Sequence, residues 1–335
     1  MTSTTATPPI LDLALAEAMP EEIPQLQLIT RRFLRHKLAV FSSIVLTLII
    51  VLAVIAPLIA PFSPTEIVVG SDFLSPGTLA EDGVRTHWLG TDQTSRDSLS
   101  RLLYAARISL TVSITAQLCA VTIGAVVGAI SGYMGGIVDA LVMRLVEFLL
   151  TIPQLPLLLI ISSLVIQNQD AIPVPEVLKS FVGWLLIISP RDATQVILVI
   201  AILVAFGWLG DSRVMRGVVL SVKEQTFTEA ARALGSSDIR IILTHMIPNA
   251  LAPMIVSASL GLSGFIIYEA ALSFLGLGIQ DPTPTWGNML SAAQSQMFQH
   301  PWLPLVSGVP IFLCSLTFNF VGDGLRDALD PRLKL

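Results

Sequence analysis

The chain has 335 residues, 53% of them hydrophobic and only 13% charged, with a formal net charge of −5. That is too apolar for a soluble domain of this length, and it offers no basic patch for a nucleic acid. None of its lysines (Lys37, Lys179, Lys223, Lys334) follows a Gly, so a G-x-x-x-x-G-K-[ST] phosphate loop is excluded and the chain is not expected to split ATP itself.

Residues 1–24, rich in Thr, Ala, Pro and Glu, read as a loosely ordered tail. Thr30-Arg31-Arg32-Phe33 looks like a twin-arginine signal, but the apolar run after it is longer than the 7–15 residues of a signal core. We therefore read residues 38–60 as an uncleaved first membrane span behind a basic flank, with 1–37 on the inner side. Further apolar stretches follow at 108–131, 145–166, 193–210, 251–279 and 303–322. Each reaches or approaches the ~20 residues that cross a ~30 Å hydrocarbon core. The fold class is an all-α polytopic membrane protein with six spans. Residues 61–107 form an outer segment, 108–322 the core bundle and 323–335 an inner tail. Counted on that topology, thirteen of the 19 Lys and Arg fall on the inner side, which places both termini in the cytoplasm.

Within the outer segment, His87-Trp88-Leu89-Gly90-Thr91-Asp92 is followed by Ser95-Arg96-Asp97 and Ser100-Arg101-Leu102, with Asp97 and Arg101 spaced as an i,i+4 surface pair. Ser131-Gly132-Tyr133-Met134-Gly135-Gly136 reads as a tight inner turn whose neighbours Asp139, Arg144 and Glu147 pair locally. Pro153 and Pro156 are expected to kink the third span. Residues 167–192 form an outer loop in which 180–188 is apolar but too short to cross, an interfacial or re-entrant piece anchored by Trp184.

The segment 224–249 is a polar loop between two apolar spans. Thr226-Phe227-Thr228-Glu229 has the spacing of a capping box, and Ala230, Ala231 and Ala233 leave the next turn nearly bare. Leu234 follows, Gly235 suits the left-handed residue that ends a helix, and Pro248 is expected to terminate a second short helix. A rigid, nearly bare helix on a polar loop is built to dock another protein. In the fifth span Glu269 is the one ionisable group that reads as deep in the membrane. A place on a transport path or gate and an interhelical hydrogen bond stand equally for it. Cys119 and Cys314 lie in apolar spans and read as buried small hydrophobes. The four histidines are scattered, so neither a metal site nor a catalytic set emerges.

Glu229-Ala230-Ala231 with Gly235 and Pro248 resembles the EAA motif of ABC-importer permeases, with Ile247 where the usual ending has Leu. Residues 87–102 resemble the H-x-L-G-T-D-x-x-G-R-D-x-x-S-R-L signature of the dipeptide, oligopeptide and nickel permeases, with Ser95 in place of Gly. The stretch Leu272–Gly278, the loop from Asp281 through Pro284, Trp286 and Gly287, and the closing Gly322–Arg332 resemble the same subfamily. The resemblance spans about 31–165 and 193–335. It implies a C-type subunit with the type I importer permease fold in a bacterial or archaeal cytoplasmic membrane. It further implies a B-type permease partner, two cytoplasmic ATPases that carry ATP and Mg, and an outer solute-binding protein. By the same resemblance, Thr226, Phe227, Glu229, Ala230, Ala231, Leu234, Gly235 and Pro248 belong to an ATPase-docking coupling helix, and the Asp281–Gly287 loop faces the binding protein. No cofactor is expected on this chain. The solute would be a di- or oligopeptide, with nickel-chelate, glutathione or peptide-antibiotic import as the alternative. An ion-coupled secondary transporter is the less supported rival, since only Glu269 qualifies for ion coupling.

Overall fold

A computed structural model describes residues 25–330, and its regular structure is helical apart from a two-stranded hairpin of β1 (Thr78–Leu79) and β2 (Thr86–His87). The helices in chain order are α1 (Gln25–Arg35), α2 (Lys37–Ile59), α3 (Ser98–Met134), α4 (Gly136–Thr151), α5 (Gln154–Gln167) and α6 (Glu176–Leu186). They continue with α7 (Pro190–Lys223), α8 (Thr226–Ala233), α9 (Asp238–Ile241), α10 (Ile247–Phe274), α11 (Trp286–Gln294) and α12 (Trp302–Leu329). Five helices are long and apolar enough to cross a membrane, and α4 with α5 makes a sixth span if the bent pair is counted as one. The protein is thus a multi-pass helical membrane protein. The tail assigned to 1–24 and the Pro331-Arg332 end of the closing motif lie outside the described residues.

Several helices overrun the apolar windows because a helix continues wherever its backbone ladder is satisfied, in lipid or beyond it. The window at 193–210 sits inside the 34-residue α7, and α12 carries residues 323–329 in its last turns rather than in a separate tail. The window at 145–166 is corrected more deeply. It is no single straight helix but two helices bent by 89°. Ile152 is extended (ψ 128°), the conformation forced on a residue before proline, and Pro153 has no N–H to continue the ladder.

The bundle is organised around α3 and α7, the most extensively packed pair. On α3, Gly124, Gly128 and Gly132 recur every four residues and face the backbone of α7. A Cβ on Gly128 would lie 2.3 Å from the Ser212 carbonyl oxygen, and one on Gly124 would lie 2.9 Å from the Ser212 nitrogen. Small residues at this spacing let two helix backbones touch, the main source of helix association where lipid removes the hydrophobic drive. One core joins α3, α5, α6, α7 and α10 through Ile108, Leu158, Leu186, Val199 and Phe265. A second joins α2, α3, α10, α11 and α12 through Leu46, Ala105, Ile266, Trp286 and Phe318. Cys314 is buried in the second core, whereas Cys119 is exposed on α3, against expectation.

In the 167–192 loop, α6 is a full three turns. Its Leu186 is buried against α7 while Val177, Phe181 and Trp184 are exposed. Arg107 Nε donates to the Leu185 carbonyl at 3.1 Å, pinning the C-terminal end of α6 to α3.

Gly128→Leu should destabilise the protein by more than the ~1–3 kcal/mol of an overpacked core, because backbone rather than side chain must yield. Gly217→Ala, on α7 with no atom within 4 Å of the new Cβ, should be nearly silent. Thermal unfolding of the two purified variants in detergent checks the contrast.

Candidate functional site

One end of the bundle, here the knob end, carries α8 between α7 and α10. The expected capping box is not formed. Gln225 is the N-cap without a side-chain bond, Thr226 is already the first helical residue, and Thr228 Oγ1 instead donates to the Val222 carbonyl at 2.9 Å. That bond fastens the start of α8 to the end of α7, and Thr228 is buried. The exit of α8 follows the sequence reading closely. Gly235 is left-handed (φ +80°), its N–H donates to Arg232 O, and the Ser236 N–H donates to Ala231 O. This paired arrangement satisfies the last carbonyls of the helix.

Of the predicted docking residues, Thr226, Phe227, Glu229, Ala230, Leu234 and Gly235 are exposed together, with Leu234 87% accessible. Ala231 is buried and belongs to the seat rather than the surface, packed with Tyr133, Met215, Val219, Ile241 and Met246. Ile239 and Leu243 extend the exposed apolar tip. Pro248 is also exposed but terminates nothing. The chain runs helically from α9 through a π turn at Ile242–Met246 into α10. A proline lacks the N–H of the regular ladder and crowds the carbonyl four residues before it; the widened turn just ahead accommodates both.

The seat is polar and involves residues the sequence reading passed over. Tyr133 Oη donates to Asp238 Oδ1 at 2.8 Å, and Lys223 Nζ donates to the Tyr133 carbonyl at 2.7 Å. The Arg232 guanidinium lies 5.7 Å over the Tyr133 ring. Beside it Asp139 accepts two bonds of 2.5 Å from Arg216 of α7 and one of 2.6 Å from Ser131. Asp139 therefore pairs across to α7 rather than with its local neighbours, as the Gly-rich turn had suggested. The advance signal was Tyr133 inside the Gly-rich turn and Asp139 three residues beyond it.

The comparisons with known proteins bear on this arrangement. Residues 124–335, which include the knob and its seat, match the family model described as binding-protein-dependent transport system inner membrane component. Residues 24–76 match the N-terminal TM domain of oligopeptide transport permease C. The chain belongs to this permease family. It is 40% identical to the dipeptide transport system permease protein DppC of Escherichia coli over 94% of this chain and 96% of that protein. It is 37% identical to the oligopeptide transport system permease protein OppC of Haemophilus influenzae, over 90% and 87% of the two chains. Identity to the glutathione transport system permease protein GsiD of Escherichia coli is also 37%, over 91% and 89%. The permease is a C-type subunit of the dipeptide and oligopeptide importer family.

At the opposite end of the permease, the loop end, the Asp97–Arg101 surface pair is not formed and both residues are buried. Asp97 Oδ1 lies 2.9 Å from His87 Nδ1, and its Oδ2 caps α3 by accepting the Ser100 N–H at 2.7 Å. Arg101 reaches Asp281 Oδ1 at 2.8 Å, and Arg96 bridges Asp92 (2.9 Å) and Asp281 Oδ2 (2.6 Å). Ser95 is left-handed (φ +57°), the conformation for which the signature has Gly, and its hydroxyl donates to Asp72. These contacts bind the segment before α3 to the loop before α11.

Within that loop Asp281 and Pro282 are exposed, but Pro284, Trp286 and Gly287 are buried, so those three do not face outward in this chain. Trp286 sits in the core, and its backbone N–H donates to Ser109 Oγ at 3.3 Å. Gly287 lets α11 touch α10, since a Cβ there would lie 2.3 Å from the Ala270 carbonyl. Thr285 and Asn288 form the capping box of α11.

Glu269 is fully buried beneath this loop, five residues before the end of α10, and so lies near the loop end rather than at mid-membrane. Ser273 Oγ donates to its Oε1 at 2.9 Å, and the hydroxyls of Ser109 and Thr285 flank the same carboxyl. Its carboxyl thus faces groups of α3 and of the loop, while the hydrogen bond it accepts comes from its own helix. The acidic residue at mid-depth is Asp211 of α7, held by Ser257 of α10 (2.6 Å) and Gln117 of α3 (3.3 Å). The apolar window ended one residue short of it. Among the described residues no group of His, Cys, Asp and Glu could hold a metal ion.

Burial pushes the Asp281 carboxyl up, but the guanidinium groups of Arg96 and Arg101 outweigh it and hold the carboxyl below its ordinary range. A depressed folded value means that the tether contributes fully above the ordinary value of about 3.9 and is lost as pH falls through the folded one. Asp281→Asn should therefore lower the melting temperature at pH 7. The gap to wild type should close only below about pH 4, as the wild-type carboxylate takes up its proton. Melting curves across that range test both parts.

Proposed function

We propose that this chain is the membrane subunit through which an ATP-driven importer admits di- or oligopeptides. In this reading it pairs with a related B-type permease, and the knob end lies in the cytoplasm. There α8 inserts Phe227, Ala230, Leu234 and Glu229 into a groove on one of two ATPase subunits, which carry ATP and Mg. A solute-binding protein delivers peptide at the loop end, in a bacterial or archaeal cytoplasmic membrane. The inside bias of Lys and Arg supports the orientation, and the similarity to dipeptide and oligopeptide permeases supports the solute class. Glutathione, itself a small peptide, is the second reading, favoured by the comparable similarity to the glutathione permease. The chain does no chemistry of its own; its part is mechanical.

The observation that carries this reading is the knob. An apolar tip with Leu234 87% accessible, on a helix closed by a left-handed glycine and seated by Tyr133, has the form of a rigid docking element. Glu229 is exposed in its first turn, where the helix dipole favours negative charge. ATP-driven closure of the ATPases would draw the knobs together and open the loop end to solute. Release would follow when they part.

For Glu269 the buried hydroxyl cage supports a latch for the loop before α11 rather than a place on the path. The amide of Glu269→Gln keeps the shape and still accepts from Ser273, so this variant should transport nearly as wild type. Glu269→Leu leaves the buried hydroxyls without their acceptor and should lower complex yield. Transport lost in the Gln variant at normal yield would return Glu269 to the path.

Glu229→Lys and Gly235→Pro should each abolish peptide uptake while the chain stays in the membrane. The first reverses the charge at the start of α8. The second removes the N–H that closes α8 and forces φ from +80° to about −65°. Uptake in both variants at the wild-type rate, with ATPases still attached, would refute the docking role.

A further inference from the structure

Asp211 belongs to neither the docking surface nor the loop-end latch. It is 6% exposed, midway along α7, and its two oxygens are divided between two other helices. Oδ1 accepts the Ser257 hydroxyl of α10 at 2.6 Å, and Oδ2 accepts the Gln117 amide of α3 at 3.3 Å. Gly261, one turn beyond Ser257, leaves the space that the Gln117 side chain occupies: a Cβ there would lie 2.4 Å from Gln117 Oε1. Gln117 is 1% exposed, and its Oε1 accepts no hydrogen bond.

The position of this clasp relative to the knob gives it meaning. Asp211 lies about 18 Å along α7 from Lys223, and Ser257 about 15 Å along α10 from Ile247. Those two helix ends are the points between which α8, α9 and the π turn are slung. α3 and α7 are held together by backbone contact along the glycine stripe, whereas α10 meets α7 through far less surface. A push on the knob can therefore be absorbed by slippage of α10 against α7 unless something holds them in register. Asp211 does so without a graded middle, because separating the helices would leave a carboxyl group without partners in an apolar interior.

We propose that Asp211 is a positioning residue for transport: through Ser257 and Gln117 it makes α10 and α7 move as one body with α3, so that motion of the knob reaches the loop end. The proposal rests on the coupling role of the knob given above. The decisive variants are Asp211→Asn, Asp211→Leu and Ser257→Ala. An Asn can still accept from Ser257 with its oxygen and can donate its amide to the unpartnered Gln117 Oε1, so it should restore the clasp. Leu breaks both contacts, and Ser257→Ala breaks one.

The complete complex, with partner permease, ATPases and binding protein, would be reconstituted in liposomes with trialanine as the transported probe. Spin labels at Ala201 of α7 and Ile267 of α10 would report the distance between these helices at the loop end, before and after vanadate trapping of ATP. Wild type and Asp211→Asn should keep one narrow distance in both states. Asp211→Leu should broaden or shift it on trapping, while basal ATP hydrolysis persists and trialanine imported per ATP falls by about ten-fold. If Asp211→Leu does not assemble, Ser257→Ala carries the test, with a broadened distance and a fall of about three-fold expected. A narrow, unchanged distance in Asp211→Leu or in Ser257→Ala would overturn the proposal, as would a loss in Asp211→Asn equal to that in Asp211→Leu. Failure of the coupling reading itself would look different: the wild-type chain would not retain ATPases at all.

Discussion

The backbone of α3 lies directly on the backbone of α7, and the rest of the molecule hangs from that contact. Lipid offers no hydrophobic gain for bringing two apolar helices together, so association must come from close packing and hydrogen bonds. Gly124, Gly128 and Gly132 supply the first by leaving α3 without side chains where the two backbones meet. The second is then added where the pair has been fixed: Arg216 to Asp139 at one end, Gln117 to Asp211 in the middle, and Arg107 to the end of α6 near the other. A single substitution in the stripe would therefore disturb features that lie far from it in both sequence and space.

The two ends of the bundle use polar groups in contrasting ways. At the knob end, side chains brace an element that stays exposed, so α8 has a firm base and a free face. At the loop end they draw connecting segments inward. Asp281 is gripped by two arginines from the start of α3, and the Trp286 turn is sunk against Ser109 above Glu269. One end presents a surface and the other fixes its loops, as the proposed coupling requires.

How much of this was legible in the sequence depends on whether the signal was local. Long apolar runs marked the helices because crossing hydrocarbon is a matter of consecutive residues. Gly235 was legible for the same reason, since the left-handed end of a helix is decided within one turn. The exposed face of α8 was largely readable from Phe227 to Gly235, though Thr228 and Ala231 are buried. The failures arose where a nearby or distant partner competed with the pairing that spacing alone suggests. Thr226 had the right spacing for a cap, but Thr228 found Val222 and the helix began one residue earlier than a box requires. Asp97 and Arg101 were spaced to pair and instead took His87 and Asp281. Asp211 was missed because a hydropathy window stops at a charge, although an intramembrane carboxyl is comfortable once two other helices bring it partners. The resemblance placed Trp286 and Gly287 toward the outside, but they open α11 and are buried, Gly287 against the backbone of α10.

The π turn at Ile242–Met246 has a rotational consequence. It adds one residue to a turn without ending the helix, so everything before it is wound about 100° out of phase with a regular helix continued backward from α10. The azimuth at which the knob faces outward is thus set by a count of residues as well as by side-chain contacts. Ile241 and Met246 point into the seat, and Ile239 and Leu243 away from it, only while that extra residue is present. If α10 transmits motion as proposed, this phase decides whether a push arrives as tilt or as twist.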